Sequence, residues 1–240
     1  MHPMELSTPA ANCYLFPTLA GYLLVDTGAE RSGEDLLRRL HRHIDLNELQ
    51  WIFLTHAHAG HAGALLTLLK QSRARVLLHP LALERVRAGR SPAGEPRPGG
   101  ALTGRVLRTF GREMETFPPL PRGMENRCIP LEGRRRRELE SSLGVRFLDT
   151  PGHSADSMSL LTEDGSCFCG DAAVSGPLAR RHVAERVEDL ARLRNSWGTL
   201  VGAGARTLYP GHGNPFPPGA LRKDMPHLNR LIGAGEGAAE

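Results

Sequence analysis

"FLTHAHAGHAGAL", residues 53–65, places His56, His58 and His61 within six positions. The run leading into it, "LQWIFLT" (residues 49–55), reads as a buried strand, and "AGALLTLLKQS" after it as a helix. Side chains two apart at the end of a strand can reach one point, which His56 and His58 do here. His61 follows a glycine turn and approaches from another side. Neutral imidazoles are good ligands for zinc or iron, and a catalytic metal needs a few converging side chains and one open position. A single histidine in such a turn is more often a core or turn residue, so the rest of the chain must decide.

Working outward, "NCYLFPTLAGYLLVDTG" (residues 12–28) predicts two short strands that end in a loop at Asp26. "GEDLLRRLHRHI" has Leu36, Leu37, Leu40 and Ile44 at helical spacing, and "ARVLLHP" is the next strand, closed by Pro80. Strand, histidine turn, helix and strand make a β-α-β unit. The second half resumes with the strand-like segments "NRCIPLE", "GVRFLDT", "SMSLLTED" and "SCFCGD", then a helix over "AERVEDLARLRNSWGTLVG" and the strand "TLYP". Three of its turns repeat the form of an apolar strand ending in a polar residue beside glycine: "LDTPGHS" (His153), "FCGDAA" (Asp171) and "LYPGHGNP" (His212). Ligands gathered from several strand ends are how α/β enzymes commonly build a site. The other histidines lack this setting. His41 and His43 fall on a polar helix stretch, His2 and His227 near the termini, His182 among arginines, and His79 ends a strand in a structural role.

Between about residues 82 and 125 the chain is rich in Gly, Pro and Arg, which predicts a connector or flap with a helix around "LALERVRA". The chain of 240 residues carries a formal charge of +4, nearly all of it from arginine, since lysine occurs only at Lys70 and Lys223. "GRRRRELE" (Arg134 to Arg137) has acids directly after it and no interleaved aromatics, so a solvated turn or hairpin is expected in place of a nucleic-acid surface. Cys13, Cys128, Cys167 and Cys169 show no disulfide or metal spacing, and buried reduced thiols are expected. No run is long enough to span a membrane and no signal peptide is visible, which leaves the cytoplasm as the expected location. Oligomeric state is open.

The order Asp26-Thr27-Gly28, Thr55-His56-x-His58-x-x-His61, Gly152-His153, Gly170-Asp171 and Gly211-His212-Gly213 closely resembles the metallo-β-lactamase superfamily. The resemblance implies an α/β fold, a four-layer αβ/βα sandwich, formed by residues 1–240 as one domain. It implies a first metal held by His56, His58 and His153, a bridging Asp171, and a second metal on His61 and His212. Asp26 would order the metal loops and Asp171 would orient the nucleophile. The superfamily's usual His-x-His-x-Asp-His motif has its aspartate where this chain has Gly60. One or two zinc ions per chain are therefore expected, the second held more weakly because one compensating negative charge is missing. Iron is the other candidate. Asp156, in "GHSADS", is a candidate substitute charge, with capping of a helix or turn the simpler reading. Gly60 itself is a candidate for a positive φ.

The expected activity is hydrolysis of a small ester, thioester or lactone by a zinc-bound hydroxide, with a small molecule as the partner and neither nucleic acid nor membrane. Two alternatives stand beside it. One is a persulfide dioxygenase-like sulfur oxygenase with iron on His56, His153 and Asp171. The other is a degraded site kept for binding.

Overall fold

Two hydrophobic cores organise the chain, one in a unit of Met1–Pro92 with Glu113–Arg146 and one in a unit of Ala93–Arg112 with Phe147–Glu240. The structure, a computed structural model, describes residues 3–92, 95–96, 115–176 and 181–236. Of the expected connector, residues 93–94 and 97–114 lie outside the described residues.

The first unit holds a six-stranded sheet in the order β1 (Met4–Glu5), β2 (Tyr14–Thr18), β3 (Gly21–Val25), β4 (Leu49–Phe53), β5 (Arg75–Leu78), β7 (Cys128–Pro130). The expected hairpin is β2–β3, and β3, β4, β5 and β7 run parallel to one another. Parallel pairing brings their C-terminal ends to one edge. The segments leaving that edge begin at Asp26, Leu54, His79 and Leu131. Helix α1 (Gly33–Leu40) buries Leu36, Leu37 and Leu40, with acids in its first turn and arginines in its last, which suits the helix dipole. The histidine turn itself forms the short helix α2 (Ala59–Ala62), followed by α3 (Leu65–Gln71). Helix α4 (Pro80–Ala88) occupies the start of the expected connector, and His79 Nδ1 caps it by accepting from Leu81 N at 3.1 Å.

The arginine run is neither a turn nor a hairpin. Gly133–Leu143 is a helix, α5. Arg134 Nε donates to Glu138 Oε1 at 2.7 Å, and Arg136 stands 3.5 Å from Glu140, both four residues on. Leu139 and Leu143 lie on the buried face. Two apolar residues at helical spacing and a pair of i, i+4 ion pairs suffice for a helix that the charge run conceals.

The second unit holds a sheet in the order β12 (Thr207–Pro210), β10 (Ser166–Gly170), β9 (Met158–Thr162), β8 (Val145–Asp149). β10 and β12 are parallel, so Asp171 and Gly211 leave the same edge on adjacent strands. A two-stranded ribbon pairs β6 (Glu95–Pro96) with β11 (Arg186–Val187). Because β11 takes residues that the sequence assigns to a helix, α6 starts later than expected and spans Leu190–Gly202. The Asp189 side chain caps it by accepting from Arg192 N. A last helix, α7 (Gly219–Glu236), is absent from the sequence reading. Its glycines and the internal Pro226 argue against a helix by propensity, and burial of Leu221 and Leu228 overrides them.

All four cysteines are buried free thiols. Burial pushes Cys167 up to about 12, so it stays protonated at neutral pH. Among the described residues no helix is long and apolar enough to cross a membrane.

Candidate metal centre

In the first unit the ligand turn is built around Asp26, which leaves β3 with φ 59°. A non-glycine residue in that region is uncommon and marks a constrained position. Its carboxylate is fully engaged: Oδ1 accepts from Thr55 N at 2.8 Å, and Oδ2 accepts from Thr55 Oγ1 and from His61 Nδ1, each at 2.8 Å. Thr27 completes the tie by donating from N (2.7 Å) and Oγ1 (2.8 Å) to the His61 carbonyl. Asp26, Thr27, Thr55, His56 and His61 are all buried. Gly63 lets the turn close on the loop after β3. A Cβ there would strike the Ala59 carbonyl, Glu30 N at 2.5 Å and Ala29 Cα at 2.9 Å.

These contacts settle where each imidazole keeps its proton. Asp26 can only accept, so His61 donates from Nδ1 and presents a lone pair at Nε2. Thr55 Oγ1 has given its one proton to Asp26, so at 3.0 Å it accepts from His56 Nδ1, and His56 also presents Nε2. The Pro92 carbonyl can only accept, so His58 donates from Nε2 at 3.2 Å and presents Nδ1. The ring centroids of His56 lie 4.7 Å from His58 and 4.2 Å from His61. Three imidazoles, each with one ring nitrogen outside these bonds, form a candidate ligand set.

In the second unit His153, Asp171 and His212 come from three separate loops. His153 Nδ1 donates to the Arg186 carbonyl at 2.9 Å and keeps its lone pair at Nε2. Asp171 Oδ2 stands 3.6 Å from His153 Nε2 and 3.3 Å from His212 Nε2. Helix α6 supports two of these loops: Ser196 Oγ donates to the Pro151 carbonyl at 2.6 Å and Trp197 Nε1 to the Ala172 carbonyl at 2.8 Å. Gly152, at φ 134°, packs its Cα against Leu193 where any Cβ would collide with backbone. The third loop is held by Gly211 N donating to the Gly170 carbonyl (2.8 Å) and Ser175 N to the His212 carbonyl (2.9 Å).

The spacing around Asp171 Oδ2 fits a metal better than a hydrogen bond. Two donors each about 2.0–2.2 Å from a tetrahedral ion stand about 3.3–3.6 Å apart, whereas a charge-assisted N–H···O bond is about 2.7–2.9 Å. A neutral His153 would also turn a lone pair toward a carboxylate lone pair, which a cation between them relieves. Among the described residues, His56, His58 and His61 in the first unit, and His153 and Asp171 in the second, are each of a kind that could ligate a metal ion.

Gly60 sits inside α2 and is not among the glycines of positive φ, contrary to the expectation for it. Asp156 is buried in the Ser154–Ser157 turn. His182 pairs through Nδ1 with Asp224 Oδ2 at 2.7 Å and packs on Phe216, and His79 is a helix cap. Of the supporting groups, Thr55 adjoins a ligand in sequence and was open to discovery. The Pro92 and Arg186 carbonyls were not, because main-chain acceptors leave no mark on residue identity.

Comparisons with known proteins bear on the family and the fold. A family model described as "Metallo-beta-lactamase superfamily" matches residues 8–212. The lactamase-like protein aptB of Emericella nidulans is 27% identical over 95% of this chain and 56% of its own length. Atrochrysone carboxyl ACP thioesterase of Aspergillus fumigatus is 26% identical over 88% of this chain and 53% of its own length. The chain thus spans about half the length of these curated relatives. The crystal structure of TTHA1623 in a di-iron-bound form is 27% identical with a TM-score of 0.61, covering 93% of this chain and 98% of that one. The metallo-β-lactamase SMB-1 bound to 2-mercaptoethanesulfonate superposes with a TM-score of 0.68 at 17% identity, covering 99% and 94%, a likeness of fold alone.

Proposed function

The chain belongs to the metallo-β-lactamase superfamily, and on that premise we propose that it is a metal-dependent hydrolase of small esters, thioesters or lactones. The observation that carries the reading is the commitment of imidazole protons. His56, His58, His61 and His153 each direct one ring nitrogen to an acceptor and leave the other as a ligand atom. His56, His58 and His153 would hold the first ion, with Asp171 shared and His61 and His212 serving the second. Zinc is the proposed metal. A bound dication lowers the pKa of a coordinated water and polarises a carbonyl.

The protein's own groups supply the rest. Asp171, the carboxylate nearest His153 and His212, accepts the proton of the attacking water and orients it. Asp26 holds His61 and Thr55 from behind and touches no substrate. Thioesters stand first among the substrates because a relative matched over most of this chain is named an ACP thioesterase. Buried free cysteines support a reducing compartment, the cytoplasm.

A second reading has one observation in its favour. TTHA1623, 27% identical, is described in a di-iron-bound form. Iron here would support oxygen chemistry on a persulfide. One experiment separates the readings: determine the metal of protein purified without added metal, then assay ester, thioester and lactone cleavage and oxygen uptake on glutathione persulfide. Zinc with acyl cleavage is the expected result. Iron with oxygen uptake supports the second reading, and a folded protein that binds no metal overturns both.

A further inference from the structure

The connector touches the ligand turn at two adjacent residues, and both contacts fall on supports of the metal ligands. His58, the residue before α2, offers that helix no side-chain cap. Ser91, far along the chain, does so instead: its Oγ accepts from Ala59 N at 2.9 Å. A helix start buried without an acceptor is costly, and α2 carries His61. The next residue, Pro92, turns its carbonyl to His58 Nε2 at 3.2 Å. Proline fixes φ, which removes one of the two torsions that place that carbonyl. The pair is itself anchored. Ser91 N donates to the Glu115 carbonyl at 2.9 Å, Phe117 N to the Gly89 carbonyl at 3.0 Å, and Arg90 bridges to Thr116.

The consequence for His58 is specific. It presents Nδ1, whereas His56, His61 and His153 present Nε2. Nδ1 is one atom closer to the backbone, which suits a ligand only two residues from His56. We propose that Ser91 and Pro92 are positioning residues of the metal centre: Pro92 selects the ring nitrogen that His58 offers and Ser91 caps the turn that carries His61. Metal retention is thereby set from the mouth of the connector.

The proposal rests on the metal-enzyme reading, and the test separates the two. In metal-free wild type, the ring nitrogen shifts of His58 measured by NMR are expected to report the Nε2–H tautomer, and Pro92→Gly, which frees φ, to give a mixture. Zinc affinity is then measured by chelator competition. Ser91→Ala is expected to weaken it about tenfold, the lower end for loss of an outer support, and Ser91→Thr, which keeps the hydroxyl, to restore most of it. The thermal midpoint of each metal-free variant accompanies the titration, since a purely structural serine would lower the midpoint and leave affinity alone. An Nδ1–H tautomer in metal-free wild type overturns the proposal even if no variant folds. Equal zinc affinity of wild type and a folded Ser91→Ala protein overturns it as well. A wild type that takes up no zinc or iron overturns the parent reading, and this one falls with it.

Discussion

The two units build their candidate ligand sets in opposite ways. The first collects three imidazoles from one stretch, residues 56 to 61, and orients them with a carboxylate, a hydroxyl and a carbonyl close by. The second draws His153, Asp171 and His212 from three loops, and its supports are the β10–β12 register and the helix α6. A local set is tuned by its immediate neighbours and can be altered with the core left intact. A dispersed set leans on α6, whose Trp197 is buried in the core, so damage there reaches two of the ligand loops.

The comparison predicts its own exceptions. The largest effect should come from His56→Ala or His153→Ala, each abolishing tight metal binding and acyl cleavage. The loss in affinity should exceed the roughly 100-fold upper range for an outer support. Normal metal content in either folded variant would remove that residue from the ligand set. Next, Trp197→Ala should unfold the second unit's site and core together, costing about 3–5 kcal/mol in denaturant melts as well as metal. Asp26→Asn, in the first unit, should weaken zinc about 10–100-fold. A variant of Trp197 that melts normally yet loses metal would show the dispersed set to be separable from the core after all.

A smaller effect is expected at Gly60. Its helical backbone accepts aspartate without left-handed strain, so Gly60→Asp should raise bound zinc from about one towards about two per chain at limiting metal. Adding His61→Ala should cancel the gain. Equal stoichiometry in wild type and a folded Gly60→Asp protein would end the charge argument. The smallest effect belongs to the arginines of α5. Replacing Arg134 to Arg137 with Gln should shift stability by no more than about 0.5 kcal/mol per ion pair lost and leave cleavage of a small thioester unchanged. A large salt-dependent loss would assign that helix a substrate role.

Much of this was legible in the sequence, for a reason that follows the same division. Apolar runs and glycine turns located the strands of both larger sheets apart from β1, while the β6–β11 ribbon went unread, and strand-end histidines marked the candidate ligands. Charge hid α5, because the eye reads Arg134 to Arg137 before Leu139 and Leu143. Propensity hid α7, where Pro226 and the glycines outvote two buried leucines until tertiary packing is known. The tautomers of His58 and His153 were beyond reach. They depend on carbonyls of Pro92 and Arg186, and every residue has a carbonyl.

The close contact at Gly63 sets a limit on how this protein can vary. A Cβ there meets backbone of its own turn and of Ala29 and Glu30, so no rotamer change makes room for it. In a saturation library selected for zinc uptake, position 63 should therefore return a single letter. The ligand turn is in this sense a phrase with one fixed word, and that word is not a ligand.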